Sequence, residues 1–168
     1  MRAPEDLHPD DTAMRVMLRD LIVYTRQRAK LSQRKLAPRV GIGQSALAQV
    51  ERSLSWRVST LQRVVRGLDR RLLLRPLGLP EPPAEVLALA AMRPADPVRA
   101  DAWDVAAVVA EMTAARKALR VTQESVGEVL GCGPRAVGAV EMCESDVLLG
   151  TLQRYCRALG GALWVGLG

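Results

Sequence analysis

The sequence predicts a mostly α-helical protein that consists of two related units in tandem, each followed by a short β-strand. An internal repeat is the first reason: shifting the chain by 90 residues aligns GIGQSALAQV, which begins at Gly41, with GCGPRAVGAV, which begins at Gly131. One extra residue in the second copy then aligns TLQR at Thr60 with TLQR at Thr151. Apolar residues at helical spacing and an apolar segment at the end of each copy are the other reasons. Each copy is about 65 residues long, so the two cover most of the chain.

The first unit begins with a predicted helix over residues 12–29. Its apolar side chains recur at helical spacing and predict one buried stripe. The stripe comprises Met14, Met17, Leu18, Leu21, Ile22 and Thr25. Ser32 is the expected N-cap of a short second helix, which ends before Gly41 because a glycine there can adopt the left-handed conformation. Pro38 falls late in this helix and is expected to kink it or end it early.

Two further helices complete the unit. The third follows the glycine turn, with Ala46, Leu47 and Val50 expected to face the core. The segment Ser59-Thr60-Leu61-Gln62 fits a capping box, in which a serine is followed three residues later by glutamine. It predicts the start of a fourth helix that buries Leu61, Val64, Val65 and Leu68.

Short apolar segments end both units, RRLLLRPLGL over residues 70–79 and GALWVGLG over residues 161–168. Glycine or proline flanks each, which predicts two strands that pair with each other. An alternative is that the second strand, which carries Trp164, docks on a partner protein. The predicted domains are residues 12–78 and residues 101–168. The proline-rich linker between them, residues 79–100, is expected to contain one short helix between Pro83 and Arg93, with Pro83 at the first helical position.

A helix, a glycine turn and a second helix form the helix-turn-helix arrangement. The segment LSQRKLAPRVGIGQSALAQVER, residues 31–52, resembles the XRE-type, λ-repressor/Cro-like helix-turn-helix family, and VTQESVGEVLGCGPRAVGAVEM, residues 121–142, resembles it more weakly. The resemblance implies two λ-repressor-like domains in tandem, the second degenerate. It also implies that the helix starting near Gln44 enters the major groove of DNA, where Gln44, Ser45 and Gln49 face the bases. Gln33 is expected to touch phosphate and to brace the first residue of that helix.

Charge separates the two units. Residues 12–78 contain fifteen basic and three acidic residues, a net charge of +12, whereas residues 101–168 contain six and eight, a net charge of −2. Because phosphate contacts supply much of the affinity for DNA, only the first unit is expected to bind it. The expected DNA-binding residues are Gln33, Arg34, Gln44, Ser45, Gln49, Arg52 and Arg57, with Lys35 beside them. In the second unit Pro134 and Arg135 replace Gln44 and Ser45, which leaves Arg135 as one possible DNA contact.

Acidic residues line the second motif, where Glu124, Glu128, Glu144 and Asp146 are expected to repel phosphate. Glu51 and Glu141 recur in both copies, so a structural role is expected for them. The second unit is expected to serve self-association, ligand sensing or partner binding.

The expected function is therefore transcriptional regulation, as a repressor or autoregulator on double-stranded DNA. A homodimer is expected to bind an inverted repeat, unless the two units imitate a dimer within one chain. The alternative is an antitoxin-like protein whose second unit neutralises a protein partner, with DNA binding as autoregulation.

Other classes find little support in the residues. The single histidine, His8, and the absence of a nucleophile with a recognisable base argue against an enzyme, and no cofactor or metal is expected. Cys132, Cys143 and Cys156 are expected to be small apolar fillers, with a redox-sensing thiol as the alternative. Because residues 1–11 are polar and no apolar run reaches the ~20 residues of a membrane span, we expect no signal peptide and a cytoplasmic, nucleoid-associated protein of bacterial or phage type.

Overall fold

The computed structural model describes residues 8–168, and within this range it contains nine α-helices and one two-stranded sheet, so the prediction of a mostly α-helical protein is confirmed. The elements of the first unit are α1 (Pro9–Arg28), α2 (Gln33–Arg39), α3 (Gln44–Arg52), α4 (Val58–Gly67) and β1 (Leu72–Leu77). A connecting helix follows, α5 (Ala84–Ala91). The elements of the second unit are α6 (Pro97–Ala118), α7 (Gln123–Leu130), α8 (Pro134–Glu141), α9 (Leu149–Ala158) and β2 (Ala162–Leu167).

Helix α1 begins three residues earlier than predicted, because Pro9 occupies its first turn and the Nδ1 atom of His8 accepts a hydrogen bond from the Asp10 amide at 3.3 Å. The predicted buried stripe is partly wrong. Leu18 and Ile22 are buried, but Met17 is 48% exposed, and Asp11 and Arg15 are buried instead. The buried face of α1 is therefore rotated relative to the predicted stripe and includes these two polar residues, whose partners lie in the second unit.

Helices α2 and α3 enclose a turn that agrees with the prediction. The Ser32 hydroxyl caps α2 by accepting from the Lys35 amide at 3.2 Å, and Gly41 has a left-handed φ of 66°. Pro38 lies in the last turn of α2, which ends one residue later. Leu47 and Val50 are buried, but Ala46 is exposed because it lies on the solvent side of α3, so that prediction was wrong.

The predicted capping box of α4 is also wrong. The helix begins at Val58 with Arg57 as N-cap and no side-chain capping bond, while the hydroxyl of Ser59 donates to Oδ2 of Asp146 at 2.6 Å. The segment before α4 is extended because it pairs with the second unit, and this pairing sets where the helix starts. The predicted core residues Leu61, Val64, Val65 and Leu68 are all buried.

The two units are related by an approximate two-fold axis. Strands β1 and β2 pair antiparallel, and their register places Leu74 opposite Val165. An isolated bridge places Arg57 opposite Leu148, where the Val58 amide donates to the Val147 carbonyl at 2.9 Å and the Leu149 amide donates to the Trp56 carbonyl at 2.9 Å. Both pairs join positions that are equivalent in the repeat. Pairing of a position with its own equivalent is the property of a two-fold interface, here between two halves of one chain.

Side chains repeat this exchange on either side of the axis. Gln62 Nε2 donates to the Asp101 carbonyl at 2.6 Å, and its equivalent Gln153 donates to the Asp11 carbonyl at 3.4 Å. The side chain of Asp101 pairs with Arg66, and that of Asp11 pairs with Arg157, whose Nη2 lies 2.8 Å from Oδ1. We call this set of contacts, with the strand pairing, the inter-unit seam.

A largely aliphatic core runs through both units and includes the fully buried Leu61, Leu152 and Tyr155. The predicted linker helix is present as α5, although Pro83 is its N-cap rather than its first residue. It lies on α6, where the Trp103 indole donates to the Leu89 carbonyl at 2.6 Å. None of the described helices has the length and apolar character that crossing a membrane requires.

Candidate nucleic-acid interface

A buried carboxylate fixes α3 against the two preceding helices. Glu51, near the end of α3, accepts from Arg26 Nε at 2.5 Å and from Arg26 Nη2 at 2.9 Å. Gln33 Nε2, at the start of α2, donates to the same carboxylate at 2.8 Å, and Arg26 Nη1 donates to the Leu31 carbonyl at 2.8 Å. Charge-assisted bonds of this kind are stronger than neutral ones, so the network holds α1, α2 and α3 in one arrangement.

The network agrees with the structural role expected for Glu51 and differs from the pose expected for Gln33. The Gln33 amide bonds to the far end of α3 rather than to Gln44 at its beginning, because the carboxylate of Glu51 is the stronger acceptor. Sequence reasoning missed Arg26. Its recurrence as Arg116 in the second copy was the signal that could have found it.

The second unit contains the same network with one addition. Glu141 accepts from Arg116 Nε at 2.6 Å and Nη2 at 3.0 Å, and from Gln123 Nε2 at 2.8 Å. The Tyr155 hydroxyl donates to it as well. Burial alone would raise the pKa of Glu141, but the bonds from Arg116, Tyr155 and Gln123 hold that pKa below its usual value. Burial and the bond to Glu141 raise the pKa of Tyr155.

Helix α3 presents three of the predicted residues to solvent. Gln44 and Ser45 are the first two residues of the helix, Gln49 lies one turn beyond Ser45, and all three side chains are exposed. Leu47 and Val50 anchor the opposite side in the core. The result is a polar, hydrogen-bonding ridge on a helix that its neighbours hold rigidly.

Exposed cations flank this ridge. Arg34 and Lys35 on α2 and Arg52 at the end of α3 are exposed, and none of them pairs with a carboxylate of residues 8–168. Some other basic residues of the first unit are engaged, Arg26 with Glu51, for example, and Arg66 with Asp101. Exposed cations without a carboxylate partner in residues 8–168 also occur outside α2 and α3, namely Arg28, Lys30, Arg63 and Arg70. The positive surface of the first unit therefore includes the flanks of the ridge and extends beyond them.

Arg57 is exposed but partly engaged at the inter-unit seam. Its Nη1 donates to the Asp146 carbonyl at 2.8 Å, which leaves other donors of the guanidinium free. The observed contact of Arg57 therefore belongs to the inter-unit seam, and only its remaining donors are available beside the α3 ridge.

The equivalent surface of the second unit has different chemistry. Helix α8 begins at Pro134, followed by the exposed Arg135. Glu124 and Glu128 are exposed on α7, and Glu124 occupies the position equivalent to Arg34. The second unit thus has a single exposed arginine at this end of α8 and an acidic rim beside it.

Of the three cysteines only Cys156 is a buried filler; Cys132 and Cys143 are exposed, so the prediction was wrong for these two. They lie in or beside turns that follow α7 and α8, where no core forms. Burial raises the pKa of Cys156 to about 12 and also raises that of Cys143. Across residues 8–168 no group of three or more histidine, cysteine or acidic side chains is arranged to hold a metal ion.

Comparison of the chain with protein-family models, curated proteins and solved structures found no match. The resemblance of residues 31–52 to the XRE-type family therefore depends on the motif residues themselves. Three of these motif residues have a structural role in this fold: Ser32 caps α2, Gly41 makes the left-handed turn and Glu51 joins three helices. A fourth, Ser45, is exposed on α3.

Proposed function

We propose that this protein is a sequence-specific double-stranded DNA-binding transcriptional regulator, a repressor or autoregulator, that reads the major groove with α3. In this proposal the two units are helix-turn-helix domains, the second of them degenerate. The observation that carries it is the ridge of exposed Gln44, Ser45 and Gln49 beside the exposed cations of α2 and α3.

The chemistry of the ridge fits base recognition. A glutamine amide pairs with adenine through two hydrogen bonds, and a serine hydroxyl bonds to several bases. Arg34, Lys35 and Arg52 would neutralise phosphates on either side, and the positive end of the α3 dipole adds to their attraction. The Glu51 network supplies the rigidity that base reading needs, because it fixes the angle between α2 and α3.

The two-fold arrangement inside the chain bears on stoichiometry. A homodimer would read two half-sites about one helical turn apart, roughly 34 Å. Here the second unit already occupies a two-fold position against the first, which favours one chain per site and an asymmetric operator. Light scattering of the complex with a short duplex distinguishes the two, since a homodimer would give twice the protein mass per duplex.

In the antitoxin-like alternative the second unit binds a protein partner, and β2 is one segment that could dock on it. β2 pairs with β1 over all six of its residues, and the Arg75 guanidinium lies 5.8 Å from the centre of the Trp164 ring. This pairing engages one edge of β2 within the chain, so that edge is not free to dock on a partner. Recovery of a stoichiometric protein partner from the native host, together with loss of that partner when Trp164 is changed, would favour the alternative.

The direct test is selection of bound sequences from random duplex DNA with the full-length protein, followed by a salt titration. We expect an enriched motif and a linear fall of log affinity with log salt concentration. Gln44→Ala should lower discrimination at one base pair by about 1–3 kcal/mol while leaving non-specific binding unchanged. Gln27→Ala, an exposed glutamine at the end of α1, is the matched control. Absence of any duplex affinity at low ionic strength would refute the proposal.

A further inference from the structure

A cavity of about 300 Å³ lies at the inter-unit seam, between α4, α6 and the loop that precedes α9. Its polar lining includes Gln62, Asp101 and Asp146, and Val105 is part of its apolar lining. Its size is at the lower end of small-molecule sites. The kind of ligand that fits the cavity can be inferred from the equivalent space on the opposite side of the two-fold axis.

On that opposite side the equivalent space is filled by Arg15. Its Nε donates to Gln153 Oε1 at 2.7 Å, its Nη1 donates to the Leu54 carbonyl at 2.7 Å, and the residue is only 4% exposed. The repeat places Val105 at the position equivalent to Arg15. Since valine is much shorter, the cavity is the place that an arginine side chain occupies in the other half of the molecule.

The cavity retains the acceptors that serve Arg15. Gln62 is the equivalent of Gln153 and is 4% exposed; its Nε2 donates to the Asp101 carbonyl, while its Oε1 accepts no hydrogen bond from any residue between 8 and 168. Ser145, the equivalent of Leu54, also lines the cavity. Gln62 Oε1 is therefore free to accept a hydrogen bond from a ligand in the cavity.

We propose that this cavity binds a small primary alkylammonium ion. On the opposite side, Nη2 of Arg15 passes close over Gly150, where a Cβ atom would collide with it. On the cavity side Ser59 stands at the position of Gly150, and its Cβ occupies that space. A guanidinium in the cavity therefore cannot adopt the pose of Arg15. An ammonium group is more compact. Its donors would bond to Gln62 Oε1, to the Ser145 carbonyl as the equivalent of the Leu54 carbonyl, and to the Asp146 carboxylate, which already accepts from the Ser59 hydroxyl and keeps further acceptor capacity.

Charge and shape support the same ligand. Asp146 replaces Ser55, so the cavity side has a carboxylate that the Arg15 side lacks. Arg63 and Arg66 also line the cavity, but Arg66 is paired with Asp101. Arg154, the equivalent of Arg63, stands near the buried Arg15 cation on the opposite side, where Asp11 offsets its repulsion. The aliphatic part of the ligand would lie against apolar side chains, namely Val58, Val98, Val105 and Val147.

The test is calorimetric titration of the full-length protein, without DNA, with n-butylammonium. We expect saturable binding at one site per chain. Tetramethylammonium, which has no N–H donor, and n-butanol, which has no charge, should each bind at least about tenfold more weakly, because each loses a charge-assisted hydrogen bond. Equal binding of n-butanol, or no saturable binding of n-butylammonium, would overturn the proposal.

Two variants locate the site. Asp146→Asn should weaken n-butylammonium binding by about fivefold or more, whereas Glu144→Gln, the same charge change two residues away and outside the cavity, should not. The double variant Ser59→Gly, Val105→Arg rebuilds the Arg15 side and should abolish binding. Unchanged affinity in a folded double variant, or an equal effect of the two single variants, would contradict the assignment. Because no DNA is present, failure here leaves the proposed DNA binding untouched.

Discussion

The two units share their internal polar contacts and differ in what they expose. Arg26, Gln33 and Glu51 form one network in the first unit, and Arg116, Gln123 and Glu141 form its counterpart in the second. On the surface, by contrast, Glu124 stands where the first unit has Arg34. The network recurs because it joins three helices in each unit, whereas a solvent-exposed position can take the opposite charge without disturbing the fold.

At the inter-unit seam, too, some contacts recur on both sides of the two-fold axis and others occur on one side only. The contacts of Gln62 and Arg66 with Asp101 recur as those of Gln153 and Arg157 with Asp11. Arg15 has no counterpart, because Val105 stands at the equivalent position, and the cavity lies where the arginine is missing. The contacts of Asp146 with Arg57 and Ser59 are also made on one side only. Departures from the repeat therefore mark the places where the two sides of the seam differ in chemistry.

The largest expected effect tests the surface difference. Reversing two free cations of the first unit, with Arg34→Glu and Arg52→Glu together, should lower DNA affinity by about 100-fold or more near physiological salt, because it replaces phosphate attraction with repulsion. Arg135→Glu should change affinity by less than about threefold. Fluorescence anisotropy with the selected duplex measures both. If Arg135 matters as much, both units bind DNA.

The next effect tests the shared networks. Glu141→Gln should lower the free energy of unfolding by about 2 kcal/mol, because it leaves Arg116 without its buried carboxylate. Glu51→Gln should cost somewhat less, since the hydroxyl of Tyr155 bonds to Glu141 in addition. Urea unfolding at neutral pH measures both variants.

The Glu141→Gln variant also has a pH signature. Because the pKa of Glu141 is lower in the folded state, its contribution to stability is complete above the usual glutamate value of 4.5 and is lost as the pH falls through its lower folded-state pKa. The stability difference between the wild type and Glu141→Gln should therefore shrink as the pH is lowered below 4.5. A difference that grows on acidification would contradict the assigned bonds.

A smaller effect compares the two sides of the seam. Asp11→Asn should destabilise the fold by about 1–2 kcal/mol, because the Asp11 side chain is 3% exposed and its bonds to Arg157 are charge-assisted. Asp101→Asn should cost about 1 kcal/mol or less, since that side chain is 17% exposed. Thermal unfolding compares the two. A reversed order would show that burial does not set the difference between the two sides.

The smallest effect uses the thiols, all three of which lie in the second unit. Iodoacetamide at pH about 8 should modify Cys132 first and Cys143 more slowly, because burial raises the pKa of Cys143. Cys156 should react only on unfolding. Mass spectrometry of timed samples gives the order. Early labelling of Cys156 would mean that α9 opens locally in the folded protein.

Local chemistry made much of the fold predictable. The turn at Gly41, the cap at Ser32, the core face of α4 and the pairing of two apolar strands each follow from residues close in sequence or of matching type. Glu51 was assigned a structural role because the repeat preserves it. The turn, the cap and the core face depend on glycine geometry, capping and apolar periodicity, which one segment carries by itself, whereas the strand pairing and the role of Glu51 follow from comparing the two copies.

The seam was not predictable in the same way. Asp11, Arg15 and Gln62 are polar, so periodicity assigns them to solvent, yet each is buried by a partner in the other unit. The false capping box at Ser59 has the same origin. Recurrence of Asp11, Gln62 and Arg66 in the second copy was the available signal, and it indicates conserved contacts without saying with which segment they form.

The pairing of Leu74 with Val165 and of Arg57 with Leu148 places the symmetry axis inside a single molecule. Two separate identical chains meeting across such a seam would come apart on dilution, whereas the covalent tether through α5 keeps these halves together at any concentration. In a pair of identical chains every substitution occurs twice, once on each side. In a tethered pair a substitution can occur on one side alone. Valine can therefore stand at position 105 while the equivalent position in the first unit remains arginine, Arg15.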